Sequence, residues 1–117
     1  MGVADGASVA PVDLAAAKAH LRIDAEDTAE DGLIAGLVAA AKLAIEGKIF
    51  RRVYATSAPL DLDPEGMVVN AVINQAVLLI VGHLFANREA VAAGARVEVP
   101  MGVGWLLEPH VNYAGGA

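Results

Sequence analysis

Residues 33–49, LIAGLVAAAKLAIEGKI, decide the fold. Leu33, Ile34, Leu37, Val38, Ala41, Ile45 and Ile49 recur at intervals of three and four, which lines them along one side of a helix with about 3.6 residues per turn. Just upstream, Ile23-Asp24-Ala25-Glu26-Asp27 is acidic, and acids near a helix N-terminus are favoured by its dipole by about 0.3–1 kcal/mol each. Thr28 with Asp31, or Asp27 with Glu30, has the spacing of a capping box. The helix is therefore expected to start near these residues and run to about Gly47 or Phe50.

On the N-terminal side, Val12 to Arg22 places Leu14, Ala17 and Leu21 on one face, with Asp13 near the start and Arg22 at the end, and reads as a short first helix. On the C-terminal side, Arg51 to Glu65 holds Pro59, Pro64 and the alternation Leu60-Asp61-Leu62-Asp63, so it reads as a connection with room for a short extended piece. From Glu65 the apolar pattern resumes through Val68, Val69, Val72, Ile73, Ala76, Val77, Ile80, Val81 and Leu84, which predicts a third and longest helix. Nearly every face is apolar between Ala76 and Val81, as in a helix sunk in a core or covered by another chain. Beyond Arg88-Glu89-Ala90-Val91 a turn is expected at Gly94, followed by Val97-Glu98-Val99-Pro100. Trp105-Leu106-Leu107 forms a last apolar piece that Pro109 limits to about two turns. The expected architecture is all-α, a small bundle of three main helices plus a short C-terminal helix or arm. It comprises a flexible N-terminal arm over residues 1–11, a helical body over 12–110 and a flexible tail over 111–117.

A chain of 117 residues fits one domain. Its hydrophobic fraction of 56% exceeds the usual figure of about 45–50%, much of the excess being alanine, so packed helices with apolar surface to spare for neighbours are expected. With no cysteine there is neither a disulfide nor a thiolate metal site, which fits a reducing cytoplasm. A net charge of -6 argues against gripping nucleic acid through phosphates, while allowing an acidic wall that DNA slides past. Met1 to Ala10 lacks the basic start and apolar core of a secretory signal. Met67 to Asn87 carries no formal charge, but Asn70, Asn74, Gln75 and His83 interrupt it, and unpaired amides are costly in hydrocarbon. It reads as a buried or interface helix and not as a membrane span.

Catalytic patterns are missing from the sequence. Asp24, Glu26, Asp27, Glu30 and Asp31 lack the spacing of a calcium loop and suit helix capping better. His20, His83 and His110 stand far apart, outside any zinc-binding spacing. Ser8 and Ser57 lack the flanking glycines of a nucleophile elbow, and Gly102 with Gly104 is too little for a dinucleotide loop. No catalytic, cofactor-binding or metal-binding residue is expected, and no cofactor. Two polar groups remain as candidates for a subunit interface: Arg51 and Arg52, beside Lys48 at the end of the second helix, and Asn87-Arg88-Glu89 closing the third. Charge pairs at such a seam fix register more than they add affinity.

The order of these pieces resembles the head-tail connector, or adaptor, family of long-tailed bacteriophages and related gene transfer agents. The resemblance is carried by Leu14, Lys18 and Leu21-Arg22-Ile23-Asp24, then by Asp31, Leu33-Ile34, Leu37 and Ala40-Ala41. It continues in Asn87-Arg88-Glu89-Ala90-Val91, Val99-Pro100 and Leu106-Leu107-Glu108-Pro109, and spans roughly residues 12–110. It implies packed helices and a structural role. Copies would join side by side, commonly in twelvefold array, into a ring beneath the portal at the virion's head-tail junction, after assembly in the host cytoplasm. The ring would extend the DNA channel without sequence-specific binding, and dock the next connector or tail protein. By the same resemblance, Asn87 to Val91 would help build the seams, and Pro100, Trp105, Leu106, Leu107 and Pro109 would form an arm that reaches the portal protein.

A different class fits the same helices: a small cytoplasmic dimer that clasps a partner helix in an apolar groove. A dimer needs one self-complementary surface, whereas a ring needs two different surfaces meeting head to tail.

Overall fold

The computed structural model describes residues 9–89 and 101–113. Met1 to Ser8 of the expected arm, the expected turn and extended piece from Ala90 to Pro100, and Ala114 to Ala117 of the expected tail lie outside them. The architecture is mainly helical. Helix α1 spans Leu14–His20, α2 Asp31–Ile49, α3 Ala71–Ala86 and α4 Met101–Leu107, and a two-stranded parallel sheet pairs β1, Val53–Tyr54, with β2, Met67–Val68.

Asp13 starts α1, its Oδ1 accepting the Ala16 N–H at 2.8 Å. The helix ends in crossed bonds from the Ile23 N–H to Lys18 O and from the Arg22 N–H to Ala19 O, at 2.9 and 3.1 Å. This closure needs a left-handed residue, and Arg22, with φ of 62°, fills the place that glycine usually takes.

Helix α2 begins one residue after Glu30, whose side chain makes no capping bond. Neither expected capping box forms. Asp24 and Asp27 instead accept the N–H groups of Glu26 and Ala29, two residues on, and fold the acidic segment into local turns. Asp31 is drawn to Lys18, its Oδ1 lying 2.8 Å from Nζ. The same buried ammonium donates to Ala25 O at 3.1 Å and Asp27 O at 2.6 Å, so α1 is clamped to the start of α2.

The inward side of α2 carries Ile34, Leu37, Val38, Ala41, Ile45 and Ile49, all buried as the periodicity predicts, while Leu33 sits at the margin, 41% exposed. They meet Ile73, Ala76, Val77, Ile80 and Val81 of α3, and burying each larger aliphatic side chain is worth roughly 1.5–3 kcal/mol. Leu78 and Leu79, on the remaining faces of α3, are half-buried against the same core.

Helix α3 is shorter than predicted and is not the longest. Asn70 caps it, Oδ1 accepting the Ile73 N–H at 2.9 Å, and the residues before the cap turn extended. Met67 and Val69 donate to Arg52 O and Tyr54 O, at 2.9 and 2.8 Å, in the parallel ladder. β-branched Val68 and Val69 fit a strand as readily as a helix. Gly66 lets this turn close: a Cβ there would lie 2.7 Å from Tyr54 Cε2.

Val103 and Leu107 of α4 are 2% and 1% exposed and complete the core. Pro109 turns the chain into a 3-10 turn over Glu108–His110. Val111 and Asn112, expected to begin the flexible tail, belong to the body. Val111 packs on the core, and Asn112 is buried and donates its N–H to Ile49 O at 2.7 Å. At the other end Val12 is core and Ala10 O accepts from Asn74 Nδ2 at 2.7 Å, so the body begins before residue 12. Among the described residues no helix is long and apolar enough to cross a membrane.

Candidate interaction surfaces

Each predicted interface residue is positioned by a helix end. At the C-terminus of α2, Arg51 is turned inward: Nε donates to His110 O at 2.8 Å and Nη1 to Glu65 O at 3.1 Å. It ties the end of α2 to the C-terminal turn and to the loop before β2. Arg52 is exposed beside it.

Phe50 lies between α2 and this arginine pair with φ of 57°, in the left-handed region that costs a residue with a Cβ about 1–2 kcal/mol. Its ring is 52% exposed, as is 68% of Leu43 two turns earlier on α2. The two border a shallow polar hollow that includes Arg51, Arg52, Asp63 and Glu65. Phe50 carried no signal in the sequence, because phenylalanine is not a residue that favours a positive φ.

At the other end, Asn87 closes α3, its Nδ2 donating to His83 O at 2.8 Å. Arg88 Nη1 donates to Phe85 O at 2.9 Å, its guanidinium carbon lies 4.4 Å from the centre of the Phe85 ring, and its Nε pairs with Glu30 Oε2 at 3.4 Å. Glu30 stands at the start of α2. The candidate interface residues are thus two groups at opposite ends of α2, separated by about 28 Å, 19 residues at 1.5 Å each. Arg52 and Glu89 are exposed, and their side chains make no hydrogen bond or ion pair among the described residues.

The expected portal-contacting residues divide as well. Leu107 is inside the core and Leu106 half-buried, so this segment is fastened to the body and does not form a free arm. Pro109 is exposed, Trp105 is 80% exposed, and Pro100 lies outside the described residues.

Among the described residues, the polar side chains do not converge on a reaction centre. The Tyr54 hydroxyl donates to Asp63 Oδ2 at 2.9 Å, and that bond, before any other effect, raises the phenol pKa above 10.0. Tyr113 donates to Glu108 and is raised for the same first reason. The ring of His20 rests on Gly82, and that of His83 keeps a shielded Nε2 with no partner among the described residues. No group of His, Cys, Asp and Glu side chains there is arranged to hold a metal ion.

One concave feature was not foreseen. Between α2 and α3, beside β1, lies a pocket of about 410 Å³ with a mainly apolar lining that includes Pro11, Ala39, Leu43, Val53, Ile73 and Asn74. Its residues come from four separate stretches of chain, and only their meeting in space creates it.

Residues 11–103 match a family model described as phage gp6-like head-tail connector protein. No curated protein and no solved structure matches the chain.

Proposed function

The chain belongs to the phage gp6-like head-tail connector family, a structural component of the head-tail junction, and from that premise we propose that it acts as a subunit of a closed ring beneath the portal. The family match over residues 11–103 carries this reading. Copies stand side by side, in about twelvefold array, each joined to the next through two different surfaces. The two separated groups, Arg51 and Arg52 at one end of α2 and Asn87, Arg88 and Glu89 at the other, supply the polar rims of such a head-to-tail contact. Exposed Leu43, Phe50 and Trp105 supply apolar area.

The ring extends the channel through which DNA leaves and enters the head. A chain of net charge -6 repels phosphate, so DNA passes without sticking and without sequence-specific binding. One rim of the ring meets the portal protein through the segment from Pro100 to Pro109, in which Val103 and Leu107 are core residues, and the other rim docks the next connector or tail protein. The subunit folds and assembles in the host cytoplasm and has no catalytic step.

The competing reading is a cytoplasmic dimer that grips a partner helix in the α2–α3 pocket, and the apolar lining of that pocket favours it. Electron microscopy of the purified chain, alone and with the portal protein of the same phage, separates the two. Annular particles with a central hole support the connector ring, whereas twofold particles indifferent to the portal contradict it.

A further inference from the structure

Two features are left incomplete within a single chain. The first is Trp105. Val103 and Leu107, two positions to either side, are turned into the core, so Trp105 stands on the outer side of α4, 80% exposed. Its indole N–H can only donate, and it has no acceptor among the described residues. A large aromatic surface left in water is costly, and such side chains anchor protein interfaces.

The second is the pocket between α2 and α3. Its walls include Ala39, Leu43, Val53, Ile73 and Val77, and its volume of about 410 Å³ lies within the range of about 300–1,000 Å³ seen for pockets that enclose a ligand. Asn74 stands in that wall. Its Nδ2 donates to Ala10 O, while its Oδ1 is shielded from solvent and receives no donor among the described residues. Lys42 also lines the pocket and has no ion-pair partner among the described residues.

We infer that Trp105 of one copy inserts into the α2–α3 pocket of the next copy, its ring against the apolar side chains of the lining. Each side matches what the other lacks: an exposed aromatic side chain and an apolar pocket of a volume to take it. Charge agrees at Lys42, which exposed Glu108, three residues beyond Trp105, meets as the ring arrives, while Glu46 in the same wall is engaged as acceptor of the Val53 N–H. None of the described side chains of α4 lines the pocket, so the two features are separate surfaces of one chain. A knob and a hole on different surfaces generate a head-to-tail contact, the kind a ring requires. The inference rests on the ring reading and moves Trp105 from the portal contact to the contact between copies.

Trp105 is the single tryptophan, so its emission reports its own environment. Sedimentation velocity and tryptophan emission are measured together on the full chain over a concentration series, alone and with portal protein, whose own emission is subtracted using the Trp105→Ala chain. The expected result is a blue shift that tracks the assembled fraction. Trp105→Ala and Ala39→Phe, the second filling the pocket from an exposed position, should each lose association while keeping wild-type circular dichroism. Their equimolar mixture should form heterodimers and stop there, since one variant brings only the knob and the other only the hole. Assemblies whose Trp105 still emits as a solvated indole would overturn the inference and leave the ring reading standing. A blue shift on the portal that persists in Ala39→Phe would assign Trp105 to the portal and overturn it too. A chain that assembles neither alone nor on the portal would remove the ring reading itself.

Discussion

Lys18 and Asp31 meet across the loop that joins the first two helices, Nζ to Oδ1 at 2.8 Å, with the lysine 4% exposed. The ammonium donates hydrogen bonds to Ala25 O and Asp27 O and forms an ion pair with the Asp31 carboxylate. This one side chain holds the acidic loop against α1 and fixes where α2 begins. Lys18→Met keeps the buried aliphatic stem and removes the charge, leaving two carbonyls without their donor and a carboxylate without its ion-pair partner. The Asp31 side chain is 29% exposed, so water recovers part of the loss. A destabilisation of about 2–3 kcal/mol is expected in urea unfolding. An unchanged midpoint would show that the clamp is not structural.

Arg22 ends α1 in the left-handed region at φ of 62°, and its side chain is exposed. Arg22→Gly removes the Cβ penalty and keeps both crossed backbone bonds. A gain of about 1 kcal/mol is expected in the same assay. A loss of stability would mean that the arginine side chain contributes more than its backbone strain costs.

The chain has two tyrosines, and both are hydrogen-bonded to carboxylates, Tyr54 to Asp63 and Tyr113 to Glu108. Both phenols are raised above 10.0, first by that bond. A raised folded-state value means that the native chain holds these protons more tightly than the unfolded one. The stability they contribute is therefore fully present below about pH 10 and is lost as pH climbs through the raised values. Ultraviolet titration of the native protein should place both ionisations above those seen in denaturant, and Tyr54→Phe should remove one of the late steps. Coincident native and denatured curves would contradict these bonds.

Arg88 pairs with Glu30 at 3.4 Å, with the two side chains 43% and 41% exposed. An exposed pair of this kind contributes about 0–1 kcal/mol, so Arg88→Glu should cost little in folding. If the arginine also borders a neighbouring copy, the variant should lose ring formation on the portal. Rings formed by Arg88→Glu at wild-type concentration would take this residue out of the seam.

The helical body was legible because its signal is periodic: the apolar residues of 33–49 recur with the helical period, and those on its inner side are the ones the core buries. The start of α3 was not, since Val68 and Val69 fit both periods and only pairing with Val53 and Tyr54, far away in sequence, makes them extended. The capping boxes failed because local spacing says nothing of Lys18, which reaches Asp31 from another helix. The C-terminal segment read as a short helix or arm, the arm being what the resemblance implies, and the structure shows a helix from which Val103 and Leu107 fill the core. The interface candidates were visible as charged residues at helix ends. Whether a guanidinium faces outward, as at Arg52, or is used up within the chain, as at Arg51, is set by long-range partners such as His110 O.

Native mass determination of the full chain, alone and mixed with the portal protein of the same phage, tests the central claim most directly. The connector reading predicts a closed assembly of about twelve copies, free or seated on the portal. A monomer or dimer that keeps the same mass when the portal is added would contradict it.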